Sequence, residues 1–243
     1  MFLFDIHTHN IESGSKTAIL DSPDYIPERI ISLGIHPWNI DNGWKKSFHS
    51  IEKLATNSNV VAIGECGLDS LRSTATAETQ EEVFIAHARL AEEYRKPLII
   101  HCVKAFDRLI ALRKSIAPQQ PWIIHGFRGK PQLAAQLIKA GFYISLGEHF
   151  NRESAKSIPA DRLFIESDES RLPIADIYAA VAAARDITTE ELARLTETNA
   201  RIFGQFYAHL HVNGIRSLCL YTIIKYFSLH LSKLLPVNKR WTS

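Results

Sequence analysis

Apolar residues along this chain fall into eight short runs separated by amphipathic stretches: FLFDI, TAIL, RIISLGI, VVAIGE, PLIIH, WIIHG, FYISLG and RLFIES. Short runs rich in Ile, Leu and Val, without strict alternation, are the pattern of strands buried on both faces. Between them, ETQEEVFIAHARLAEEYRK sets Val83, Ala86, Leu90 and Ala91 on one helical face, and KAFDRLIALRKS does the same with Phe106, Leu109 and Leu112. KPQLAAQLIKAG closes on Gly141, a helix-stop signal. Buried strands linked by helical crossovers predict an α/β fold with a parallel sheet, and eight of them in 243 residues predict a (β/α)8 barrel of the TIM type. A doubly wound open sheet is the competing architecture. One link is too short: about half a dozen residues separate FLFDIHTH from TAIL, fewer than a parallel crossover needs. The barrel is therefore expected to be distorted, its first helix reduced or missing.

Composition narrows the class. Hydrophobic and charged fractions of 46% and 22% exclude a disordered chain. Asp5 and His7 interrupt the opening MFLF before a secretory apolar segment forms, so a cytoplasmic location is expected. Cys66, Cys102 and Cys219 are too scattered for a disulfide framework and read as small apolar fillers. After Glu197 no acidic residue follows, while Arg216, Lys225, Lys233, Lys239 and Arg240 add positive charge. The rest of the chain is slightly acidic, not a surface that coats nucleic acid. A barrel over 1–206 and a basic tail over 207–243 are the expected units. In the tail, Leu220, Ile224, Phe227, Leu231 and Leu234 recur at helical spacing, but Lys225 and Lys233 make a poor membrane span, so stable membrane insertion is not expected. The tail's own pair, His209 and His211, follows no strand-like run and carries no further ligand candidates.

A barrel keeps its working residues at the C-terminal ends of its strands. His7 and His9 end the first run and, two residues apart on a strand, share a face. A lone H-x-H is weak evidence. Here, however, His36 follows the third run, Glu65 ends the fourth, His101 the fifth and His125 the sixth, and Asp168 follows the eighth. So many ionisable groups at one barrel mouth are costly without compensation. Divalent cations supply it, and imidazole with carboxylate suits Zn, Mn or similar ions.

The segments DIHTHN, LGIHPW, AIGECGLD, KPLIIHC, IIHGFRG and LFIESDES resemble, in order and spacing, the signature segments of the TatD-like family of metal-dependent hydrolases in the amidohydrolase superfamily. The resemblance spans Phe2 to about Phe206. It implies that His7, His9 and Asp168 hold one divalent ion and that Glu65 bridges to a second, completed by His101 and His125. The ions implied are Zn, Mg or Mn. Asp168 is implied as general base, with Glu65 beside it in the catalytic set. His36 matches a position that lies at the site without usually ligating, and so reads as a substrate or supporting contact. Glu148, after the seventh run, is a further pocket candidate.

The departures from that pattern touch the substrate rim. Where the family commonly has H-x-R after the fifth strand, this chain reads His101, Cys102, Val103, Lys104, and Arg128 stands where Ser or Thr is more usual. Arg128 and Lys104 are thus the candidate substitutes for the missing guanidinium. ESDES also lacks the proline that often follows, and the basic tail has no counterpart in the pattern. The expected activity is phosphodiester hydrolysis, with DNA and a small phosphodiester as the candidate substrates. The alternatives are a small amide, lactone or ester as substrate, or a non-catalytic protein stabilised by metal. The oligomeric state is left open.

Overall fold

The structure, a computed structural model, describes residues 1–11 and 17–204. Each of the eight apolar runs contributes one strand: β1 Asp5–Thr8, β2 Ala18–Asp21, β3 Ile31–Leu33, β4 Val60–Asp69, β5 Leu98–Val103, β6 Trp122–Ile124, β7 Tyr143–Leu146 and β8 Leu163–Ile165. They pair in parallel and in sequence order. The ring closes just beyond β8, where Thr8 and Asp168 form a parallel bridge. There the Asp168 N–H donates to the His7 carbonyl at 2.9 Å, and the His9 N–H donates to the Asp168 carbonyl at 3.1 Å. The seam that closes the barrel is therefore made by candidate site residues.

Outside the ring lie α1 Trp44–Leu54, α2 Ala77–Tyr94, α3 Phe106–Ile116, α4 Pro131–Lys139, α5 Arg152–Ser157, α6 Ile174–Ala184 and α7 Thr189–Asn199. Thr76 and Thr188 cap α2 and α7, each hydroxyl accepting from the N–H three residues on, at 3.2 and 3.1 Å. The link from β1 to β2 holds no α-helix among its described residues; residues 12–16 lie outside them. The loss of crossover helices goes further than the sequence suggested, because the link from β2 to β3 has none either. Pro23 and Pro27 remove donors a helix would need, and the Asn59 side chain instead donates to the Ile26 and Arg29 carbonyls at 3.0 and 2.9 Å. His209, His211 and the amphipathic stretch of the tail lie outside the described residues. No helix among the described residues is long and apolar enough to cross a membrane.

Alternation along each strand sorts the core. Leu98 and Ile100 of β5 pack into the layer shared with the helices, while Ile99 between them, also fully buried, points to the opposite face, the barrel interior. Lys96, two residues before β5, is buried as well. Its ammonium donates to the carbonyls of Ala55, Asn57 and Val60, the last two at 3.2 and 2.6 Å. Burial alone pushes this lysine down to about 8, and three acceptors for three protons keep the charge in place. Lys96→Met is expected to lower unfolding stability by about 3 kcal/mol or more, since it strands three carbonyls that had a charged donor. A denaturant titration checks this; an unchanged midpoint would show that water or backbone replaces the ammonium.

Candidate metal centre

The site is built around a bulge in β4. Register shifts between Ile63 and Cys66, and such a bulge re-aims the side chain it carries, here Glu65. Gly64 takes φ +124°, and a Cβ on Gly34 would sit 2.4 Å from the Glu65 carbonyl oxygen. Only glycine permits that conformation and that approach. The Glu65 N–H leaves the ladder and donates to Asp21 Oδ1 at 2.7 Å, so Asp21, at the end of β2, sets the Glu65 backbone.

Five imidazoles converge on the buried Glu65 carboxylate, and they divide between its oxygens. Oε2 lies 3.3 Å from His7 Nε2 and 3.5 Å from His9 Nε2. Oε1 lies 2.7 Å from His125 Nε2, 2.9 Å from His101 Nδ1 and 3.2 Å from His36 Nε2. Asp168 stands on the first side, its Oδ1 3.8 Å from His7 Nε2 and 3.6 Å from His9 Nε2. Three overlapping groups bring ligand atoms within 4.8 Å of one another: His7, His125 and Asp168; His7, His9 and Glu65; His36, Glu65 and His101.

Outer hydrogen bonds decide which nitrogens can ligate. His101 Nε2 contacts Asp69 Oδ2 at 3.1 Å. Burial raises the Asp69 carboxyl, but bonds from the Trp38 indole, the Leu71 and Arg72 N–H groups and His101 outweigh it and hold Asp69 at about 2. An ionised Asp69 can only accept, so the His101 proton sits on Nε2 and its Nδ1 lone pair faces Glu65. His125 lies between two carboxylates, its Nδ1 3.5 Å from Oε1 of the fully buried Glu166 and its Nε2 2.7 Å from Glu65 Oε1, so either nitrogen can carry the proton. His36 differs. Its Nδ1 accepts from the Trp38 N–H at 3.1 Å, so the neutral ring carries its proton on Nε2 and is a donor to Glu65.

These contacts fit a cation. The lone pair of His101 aimed at a carboxylate oxygen repels it, and both buried nitrogens of His7 lack a hydrogen-bond partner. Where no cation lies between them, protons meet the conflict. Burial lowers His125, but the charge of Glu65 and bonds to Glu166 and Glu65 raise it well above the ordinary imidazole range. Burial likewise raises Glu65, and His125, His101 and His36 together hold it well below the carboxylate range. A set of imidazole nitrogens and carboxylate oxygens that favours added positive charge suits Zn or Mn.

The other expected residues take distinct places. A cavity of about 830 Å³ opens over Glu65 and reaches Arg72, Lys104 and Arg128 at its rim. Lys104 and Arg128 are exposed. Glu148 is not part of it: it lines an adjoining cavity of about 390 Å³, where it accepts from the Ser170 hydroxyl at 2.6 Å. Arg128 borders both. Burial raises the Cys66 thiol well above its ordinary value and Cys102 to about 12, so neither is a thiolate ligand. Sequence reasoning missed Asp21, Asp69 and Glu166 as supports. Asp21 ends a strand, and the strand-end rule that picks out the other candidates picks it out as well.

A parallel eight-stranded barrel with this donor set at the C-terminal ends of its strands belongs to the metal-dependent hydrolases. The chain is a member of the TatD-related DNase family, whose model it matches over residues 5–204. Among its relatives, the uncharacterized metal-dependent hydrolase YcfH of Escherichia coli K12 is 30% identical over 220 residues, covering 80% of each chain. The 3'-5' ssDNA/RNA exonuclease TatD of Klebsiella pneumoniae is 32% identical over 213 residues, covering 76% of this chain and 78% of its own. Among solved structures, the fold resembles YjjV, a TatD homologue from Escherichia coli K12, with a TM-score of 0.65 at 23% identity, over 71% of this chain and 75% of that one.

Proposed function

We propose that the chain hydrolyses phosphodiester bonds of single-stranded nucleic acid, DNA first, with two divalent ions that share Glu65. The observation that carries this reading is the division of the Glu65 oxygens, Oε2 toward His7 and His9 and Oε1 toward His101 and His125. His7, His9 and Asp168 would hold one ion, and His101 and His125 the other, with Zn, Mg or Mn as candidates. Such ions supply Lewis acidity and a water of lowered pKa.

The chain's own residues do the rest. Asp168 Oδ1 takes the proton of the attacking water, its side chain being partly open to solvent where Glu65 and Glu166 are closed. His36 donates from Nε2 and fixes the charge on Glu65. Arg128 and Lys104 face the cavity as cations for the phosphate. The naming of a relative as an ssDNA/RNA exonuclease supports a nucleic-acid substrate.

The test sets a single-stranded oligonucleotide against a panel of small phosphodiesters, esters and lactones, with Mg, Mn or Zn supplied. Oligonucleotide cleavage is expected, and Arg128→Ala should lower its kcat/KM by about 2–4 kcal/mol of transition-state stabilisation at unchanged metal content. Turnover of a lactone or amide alone would overturn the nucleic-acid reading. Normal oligonucleotide cleavage by the Arg128 variant would remove the phosphate role from that residue.

A further inference from the structure

Trp38 is one of the few large apolar side chains left exposed among the described residues, at 37%. It does not stand on an outer surface, since it lines the cavity over Glu65 together with His36, Asp69 and Arg72. Its ring meets His36 edge-on, with centroids 4.5 Å apart, and lies 5.8 Å from the His101 ring. An aromatic ring held open within one residue's reach of the proposed reaction centre needs an occupant or a structural reason.

The ring is also fixed from several directions. The indole N–H donates to Asp69 Oδ2 at 2.6 Å, and the Trp38 backbone N–H caps onto His36. Asp69 Oδ1 in turn accepts from the Leu71 and Arg72 N–H groups at 2.8 and 2.9 Å, which folds the loop after β4 back toward the ring. The Ser73 hydroxyl ties that loop to the Pro37 carbonyl at 2.7 Å. As a result the Arg72 guanidinium carbon stands 3.7 Å over the Trp38 ring, a stacked cation–π pair. One buried carboxylate, Asp69, thus anchors the aromatic ring, the arginine that backs it and the imidazole of His101.

We propose that Trp38, stacked against Arg72, is the platform on which an unpaired base of the substrate strand packs beside the reaction centre. The proposal rests on the nucleic-acid reading above and adds the residue that recognises the base. Proteins that hold single strands pair a cationic track for phosphates with aromatic faces for bases. Here Arg72, Lys104 and Arg128 line the same cavity as the indole. Because the ring and loop are already immobilised, stacking costs little further ordering. A base in a duplex already has stacked neighbours, so this platform selects frayed or single strands.

The experiment compares kcat/KM of metal-loaded protein on a deoxyadenosine oligomer and on an all-abasic oligomer of equal length, which keeps the phosphodiesters and removes the bases. Wild type should prefer the base-bearing oligomer by roughly tenfold or more, on the scale of one base–aromatic stack. Trp38→Ala should bring that ratio close to one, while Trp38→Phe, which keeps a ring and loses the indole N–H, should retain most of it. An equal fall on both oligomers in Trp38→Ala would mean that the residue acts only through Asp69 and His101, and overturns the proposal. So does a wild type that does not discriminate. Should the alanine variant not fold, Arg72→Ala is read instead, with the same ratio expected to fall and an unchanged ratio overturning the stack. Cleavage of small esters or lactones with neither oligomer touched would sink the nucleic-acid reading itself, a result distinct from loss of base preference.

Discussion

Glu65→Gln is expected to strip both ions from the proposed centre and to lower turnover by about 10³-fold or more, on the scale of losing a preorganised charge together with the Lewis acid it holds. Glutamine keeps the volume of the buried side chain, so packing around β4 should survive. It removes the negative charge that five imidazoles face and places an NH2 where one carboxylate oxygen stood. Whichever way the amide turns, either His7 and His9 or His36, His101 and His125 face an NH2 where a carboxylate oxygen stood. Metal content after dialysis, measured by elemental analysis, is the direct readout. Two ions retained would refute a shared carboxylate, and one retained would assign Glu65 to a single half of the centre.

The histidines and carboxylates of the site could be found in the sequence because a parallel barrel puts function at strand ends, and strand ends are visible as the last polar residue after an apolar run. His101 after PLII and His125 after WII are of this kind. What could not be found depends on geometry that no pattern carries. Asp69 was in view as the end of AIGECGLD, but its role comes from accepting four bonds from three separate segments. Glu166 gains its place only when the β6 and β8 ends come together at Gly126 and His125. Nothing in the pattern around Lys96 marks it as buried, and only the meeting of carbonyls from Ala55, Asn57 and Val60 explains its burial. The second missing crossover helix was legible by the rule applied to the first. The β2–β3 link, residues 22–30, is also shorter than a parallel crossover needs, and two of its residues are prolines.

Asp168→Asn is expected to reduce kcat by about 10²–10⁴-fold, the contribution of one positioned general base, without loosening the barrel. Asparagine is the informative choice because of the backbone. Asp168 sits at φ +53°, a region that Asn and Asp tolerate and that costs a residue such as alanine additional strain. Its N–H and carbonyl close the ring onto β1, so a substitution that disturbed this conformation would confuse stability with catalysis. The amide cannot accept a proton at catalytic pH, yet its oxygen can still face His7 and His9. Thermal unfolding should therefore match wild type while turnover collapses. If metal content falls as well, activity is titrated with added metal to saturation. Full recovery would show that Asp168 serves only as a ligand, and failure to recover at full occupancy identifies the lost base. An asparagine variant that turns over at the wild-type rate would place the proton acceptor elsewhere.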